Sequence, residues 1–120
     1  TDFDYAATGD SNILSFTQGA AATATAGNQD FAITGSSNNI NATCEVVGCI
    51  NNWSITGSSN DIDTTQTGNA DHSITATITG STNDIDVDQT SSVGETSDIL
   101  VITATTSNGT IDIDQCSSGC

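Results

Sequence analysis

The chain reads as an all-β protein, a β-solenoid of five stacked strand-turn-strand repeats of 22–26 residues, and three observations predict it. A ten-residue segment recurs from one end to the other. Alternation of period two runs through every copy. The composition rules out a thick globular core: of 120 residues only 34% are hydrophobic and 4% aromatic, too little for an ordinary domain of this length. Repeats that stack need only a thin interior, shared between neighbours.

The recurring segment is clearest in Gly57-Ser58-Ser59-Asn60-Asp61-Ile62-Asp63-Thr64-Thr65-Gln66 and Gly80-Ser81-Thr82-Asn83-Asp84-Ile85-Asp86-Val87-Asp88-Gln89. Gly35 to Cys44 is a third copy with cysteine in place of glutamine, and Gly9 to Gln18 a fourth. The fifth, Ser107 to Gln115, is expected to carry one extra residue after its asparagine. The asparagines Asn12, Asn38, Asn60, Asn83 and Asn108 are spaced by 26, 22, 23 and 25 residues. That period accommodates two short strands and two turns, and places the repeats at 1–18, 27–44, 49–66, 72–89 and 97–115 of a single domain spanning 1–120.

Alternate residues of a strand face opposite sides. Counted from Asn60, the set Asn60, Ile62, Thr64 and Gln66 forms the inside, and Asp61, Asp63 and Thr65 the outside. The stacked columns are then Asn12/Asn38/Asn60/Asn83, with Asn108 assigned to the same inward ladder; Leu14/Ile40/Ile62/Ile85/Ile111; Phe16/Ala42/Thr64/Val87/Ile113; and Gln18/Cys44/Gln66/Gln89/Gln115. Buried amides are costly unless paired, and a column of amides pairs with itself. In the strand before each glycine, odd steps back from the asparagine select Phe3 and Tyr5, Phe31 and Ile33, Trp53 and Ile55, Ile74 and Ile78, and Ile99 and Val101 as inward. Leu100 and Ile102 are then expected to point outward and offer a lateral contact. The Gly-Ser-Ser turns use residue types that accept positive φ or bond their own backbone. The linkers 19–26, 45–48, 67–71 and 90–96 vary in length, which places insertions at that edge.

Charge excludes some functions. There are 15 acidic residues, no Lys or Arg and one His, for a formal charge of −15. A phosphate backbone is repelled by such a chain, so nucleic acid is not a partner. Alternating Ile, Val and Thr without proline argue against disorder. No stretch approaches the roughly 18 apolar residues of a membrane span, so no membrane insertion is expected. The N-terminus reads as that of a mature secreted product, and four cysteines point to an oxidising, extracellular setting.

Several residues are candidates for chemistry. The outward carboxylates stack as Asp61 over Asp84, Asp63 over Asp86 and Asp112, and Asp88 over Asp114, a repulsive face that protons or Ca2+ would neutralise. No cofactor is required, and Ca2+ is the one candidate. Among the three connectivities open to four cysteines, the local pairs Cys44 with Cys49 and Cys116 with Cys120 are preferred. His72 lies at a turn edge with no nucleophile motif around it, and no catalytic residue and no enzyme are expected. Asn41 and Asn52 are outward glycosylation acceptor patterns, whereas Asn108, in a third such pattern, is expected to be shielded inside.

The core pattern G-x-x-N-x-(I or L)-x-x-x-Q resembles the second half of the curlin repeat, Q-x-G-x-G-N-x-A-x-x-x-Q. Gly57, Asn60 and Gln66, and Gly80, Asn83 and Gln89, match its Gly, Asn and final Gln. The first half departs: Ile33, Ile55 and Ile78 stand where that family has Gln, and Ile40, Ile62 and Ile85 where it has Ala. Cysteines are also unusual for it. The resemblance implies a secreted subunit that polymerises end to end into an extracellular, amyloid-like fibre of a biofilm matrix, with itself as partner and a cell-surface nucleator as a second one. Competing expectations are a phage-fibre or adhesin segment that binds a surface glycan, and an ice-binding solenoid using threonine rows such as Thr75, Thr77 and Thr79.

Overall fold

A computed structural model describes residues 2–19, 28–45, 48–68, 72–91 and 99–116. These form two five-stranded parallel sheets. The first is ordered β1 (Asp2–Thr8), β3 (Asn28–Thr34), β5 (Ile50–Thr56), β7 (Ser73–Thr79), β9 (Ile99–Thr105). The second contains β2 (Ser11–Gln18), β4 (Ser37–Cys44), β6 (Ser59–Gly68), β8 (Thr82–Ser91) and β10 (Asn108–Cys116), neighbours in that order. Each odd strand and the even strand after it make one rung, and successive rungs stack as a β-solenoid. Most of the linkers expected to take insertions, residues 20–26, 46–47, 69–71 and 92–96, lie outside the described residues.

Register follows the apolar parity. Leu14, Ile40, Ile62, Ile85 and Ile111 are directly paired along the second sheet, as are Phe16, Ala42, Thr64, Val87 and Ile113. In the first sheet Tyr5, Phe31 and Trp53 stack, and Ala7, Ile33, Ile55 and Ile78 form the next column. A shift of one residue would turn each of these side chains to solvent, so the parity locks the pairing. Phe3 stacks on Phe16 with centroids 4.3 Å apart, and Phe31 on Trp53 at 5.7 Å, so aromatic rings fill the interior of the first three rungs.

The turns between the two strands of a rung also stack. The amides of Gly35, Gly57 and Gly80 donate to the carbonyls of Thr56, Thr79 and Thr105 in the next rung at 2.9–3.0 Å. None of these glycines has a positive φ; the conformation expected of them occurs instead at Gly48 (φ 69°), in the corner between β4 and β5. Space is what requires glycine in the turn: a Cβ on Gly57 would sit 2.3 Å from the Gly35 carbonyl and 2.8 Å from Asn60 Oδ1.

The fifth rung corrects the sequence reading. Asn108 pairs with Thr82 and Gly109 with Asn83, while Ile111, Ile113 and Gln115 stay in their columns. Measured along the ladder the copy has no inserted residue. Asn108 is exposed and is not part of the interior ladder, so the expected shielding of its acceptor pattern is also lost. The same shift reverses the parity of β9. Leu100, Ile102 and Ala104 pack against the core, and Ile99 (57% exposed) and Val101 (50% exposed) face outward. The physical reason is that three stacked aliphatic and amide positions in β10 and three inward apolar positions in β9 outweigh one asparagine.

Candidate functional site

The interior amide ladder is built as the repeat predicts through four rungs. Asn12 Nδ2 donates to Asn38 Oδ1 at 2.9 Å, Asn38 Nδ2 to Asn60 Oδ1 at 2.8 Å, and Asn60 Nδ2 to Asn83 Oδ1 at 2.8 Å. Each Nδ2 also reaches the threonine carbonyl that ends the next rung's first strand: Thr34, Thr56, Thr79 and, from Asn83, Thr105 at 3.4 Å. All the donors point toward the C-terminal end, so the column is polar and directional. At the fifth rung it stops, because Gly109 has no side chain to continue it.

The glutamine column lies at the other edge of the same sheet. Gln89 Nε2 donates to Gln66 Oε1 at 2.7 Å, and Gln66 Nε2 to the Cys49 carbonyl at 3.3 Å. Gln18 accepts from Gln29 Nε2 at 3.0 Å. Gln115 is in register with Gln89 but exposed, at the open end of the column. Gln29 and Asn51 are themselves fully buried, two polar interior residues that the asparagine-based count passed over. Their signal was their parity with Phe31 and Trp53.

Cys44 and Cys49 form the expected disulfide, with Cα atoms 6.3 Å apart, and tie the end of rung two to the start of rung three. Cys116 is also disulfide-bonded; Cys120, its expected partner, lies outside the described residues. His72 is fully buried in the next corner, where its Nδ1 accepts from the Cys49 amide at 3.4 Å. The turn-edge placement was right and the burial was not anticipated.

The outer faces of the two sheets differ. On the second sheet Asp61 pairs with Asp84, Asp63 with Asp86, Asp86 with Asp112, and Asp88 with Asp114, all exposed. The carboxyl of Asp86 is held above its ordinary value of 3.8 by desolvation among its neighbours and then by the charges of Asp88, Asp112, Asp63 and Asp114. Toward the N-terminal end the columns change to amides, and Asn39 and Asn41 donate to Asp61 and Asp63 at 2.8 and 3.1 Å. Among the described residues no group of three or more His, Cys, Asp or Glu side chains converges to hold a metal ion. Asn41 and Asn52 face solvent, with Asn52 donating to Asp30 Oδ1 at 2.8 Å.

On the first sheet, Thr8, Thr34, Thr56, Thr79 and Thr105 form one exposed column through all five rungs. Beside it run Ala6, Ala32, Ser54, Thr77 and Thr103. Rows within a single repeat look irregular, whereas the column is regular. A threonine immediately before each of the four turn glycines was its signal in the sequence.

Among the described residues both ends of both sheets are strand edges without a paired neighbour: β1 and β2 at one end, β9 and β10 at the other. The interior columns run out to these edges. Phe3, Tyr5, Ala7 and Phe16 are only partly covered at the first rung, and Ile111 and Ile113 are 46% and 44% exposed at the last. No family model matches the chain, and neither a curated protein nor a solved structure does.

Proposed function

We propose that the chain is a self-assembling structural subunit, secreted and polymerising end to end into a curli-like extracellular fibre, with a role in matrix or adhesion rather than catalysis. One observation carries this reading: among the described residues the solenoid ends in unpaired strands at both ends, with apolar columns that run out to each edge. Unpaired backbone donors and acceptors beside exposed aliphatic side chains favour addition of another strand. In a head-to-tail stack β10 would meet β2 of the next copy, Ile111 against Leu14 and Ile113 against Phe16, and β9 would meet β1. The repeat's resemblance to curlin supports the same reading. The acidic outer face of the second sheet suits a fibre that grows lengthwise and resists lateral clumping.

Negative-stain microscopy of the purified chain at neutral pH tests it. Unbranched fibres whose growth is accelerated by preformed fragments are expected. Persistent monomers at high protein concentration, with or without Ca2+, would overturn it.

The threonine column favours a second reading, ice binding, in which regular hydroxyl and methyl groups on a flat face order water. Thermal hysteresis of the monomer decides between the two: a freezing-point gap without fibres would replace the assembly reading.

A further inference from the structure

The interior of the third rung holds more polar atoms than it pairs. Asn51 is fully buried, and among the described residues neither its Nδ2 nor its Oδ1 has a hydrogen-bond partner. Trp53 Nε1 and Thr64 Oγ1 are buried and unpartnered as well. Asn51 and Trp53 are successive inward residues of β5, and Thr64 is inward on β6. Because Gln66 Nε2 reaches across to the Cys49 carbonyl, the next inward residue on each strand brings Thr64 opposite Asn51. Gln29 Oε1, one rung toward the N-terminus, and Gln89 Oε1, one rung toward the C-terminus, are buried without partners too.

Asn60, in the same rung, shows that burial alone is not the cause. It is as deeply placed, yet its Oδ1 accepts from Asn38 and its Nδ2 donates to Asn83. Native interiors rarely leave an amide with both ends unsatisfied, since the desolvation penalty is not recovered. Small side chains flank these atoms along the stack. Ala42 lies next to Thr64 in its column, where Phe16 and Val87 occupy other rungs, and Ala76 lies next to Trp53 in the column of Phe31. A buried water commonly makes about three hydrogen bonds to such groups. Here the amide and the hydroxyl each give and accept, and the indole gives.

We propose that the third rung encloses a structural water site formed by Asn51, Trp53 and Thr64. The site belongs to the fold and does not depend on assembly. The chain contains its dry counterpart: in the fourth rung the residues in register with Asn51 and Thr64 are Ile74 and Val87, both fully buried.

Water-to-protein magnetisation transfer, measured by NMR on the sedimented, isotope-labelled full chain, tests this directly. Transfer is expected to the Asn51 side-chain amide and the Trp53 indole N–H, and not to the Asn60 side-chain amide, its equally buried control. Asn51 and Trp53 signals as silent as Asn60 would overturn the proposal. The paired substitution Asn51→Ile with Thr64→Val copies the fourth rung; it should abolish transfer to Trp53 and raise Tm, while Thr64→Ser should keep the transfer. A lower Tm with transfer to Trp53 unchanged would also overturn it, by showing that the two side chains serve packing.

Discussion

The junction between rungs two and three and the junction between rungs four and five use the same backbone pairing with opposite side-chain support. At the first, Asn38 is bonded to Asn60 inside, Asn39 and Asn41 donate to Asp61 and Asp63 outside, and the Cys44–Cys49 disulfide closes the corner. At the second, Gly109 ends the ladder, and Asp86 and Asp88 lie against Asp112 and Asp114. The fifth rung is therefore held by backbone hydrogen bonds and apolar columns against a local repulsion. A repeat protein of this type has strong and weak joints, and the weak one sits at the last rung.

Asn60→Asp should weaken the stronger joint most. The carboxylate accepts from Asn38 but cannot donate to Asn83 or to the Thr79 carbonyl, so a destabilisation of about 4 kcal/mol is expected in denaturant unfolding. Unchanged stability would contradict the interior placement of the ladder. Next comes Gly57→Ala, whose Cβ would meet backbone at 2.3 Å; a cost of about 3 kcal/mol is expected. Gly9→Ala is its control, since a Cβ there meets only Asn12 Oδ1 at 3.6 Å, and in the isolated chain its effect should stay under about 0.5 kcal/mol. The same substitution should hinder fibre elongation if a neighbouring copy stacks on the first rung as the first rung stacks on the second.

Replacing Cys44 and Cys49 together by alanine removes a closure of five residues' separation, and loss of about 2 kcal/mol is expected from the chain-entropy argument. Acidification acts on the weaker joint. The carboxyl of Asp86 is raised in the folded chain, so the native state binds the proton more tightly than the unfolded one. The linked stabilisation is fully present below the ordinary value of 3.8 and is lost as pH rises through the folded value. Tm measured between about pH 7 and about pH 4 should accordingly rise through this group as pH falls, and Asp86→Asn should flatten that rise. The smallest effect belongs to Asn108→Ala, exposed and outside the ladder, at under about 0.5 kcal/mol.

The repeat, its period, the inward sets of rungs one to four and the first disulfide were legible in the residues. Those features depend on local alternation and on copies that agree with one another. The candidate acidic face was equally legible, because outward parity follows from inward parity. The fifth rung was misread because asparagine was taken as the register mark, and Asn108 stands one position early. Counting from Ile111, Ile113 and Gln115 would have placed it, since a period-two pattern of apolar residues is worth more in burial than a single amide.

Alternation within each strand and the order in which like residues meet along a column follow from the residues alone. Both are properties of neighbours in the chain or of equivalent places in a repeat. The closing of the strands on one another decided which corner buries His72, that Gln66 reaches the Cys49 carbonyl, that Phe3 packs on Phe16 across the two sheets, and that the turn glycines are needed for space. Each of these depends on how the strands of one rung close on each other and on how near the next rung's backbone approaches, distances that no spacing along the chain encodes.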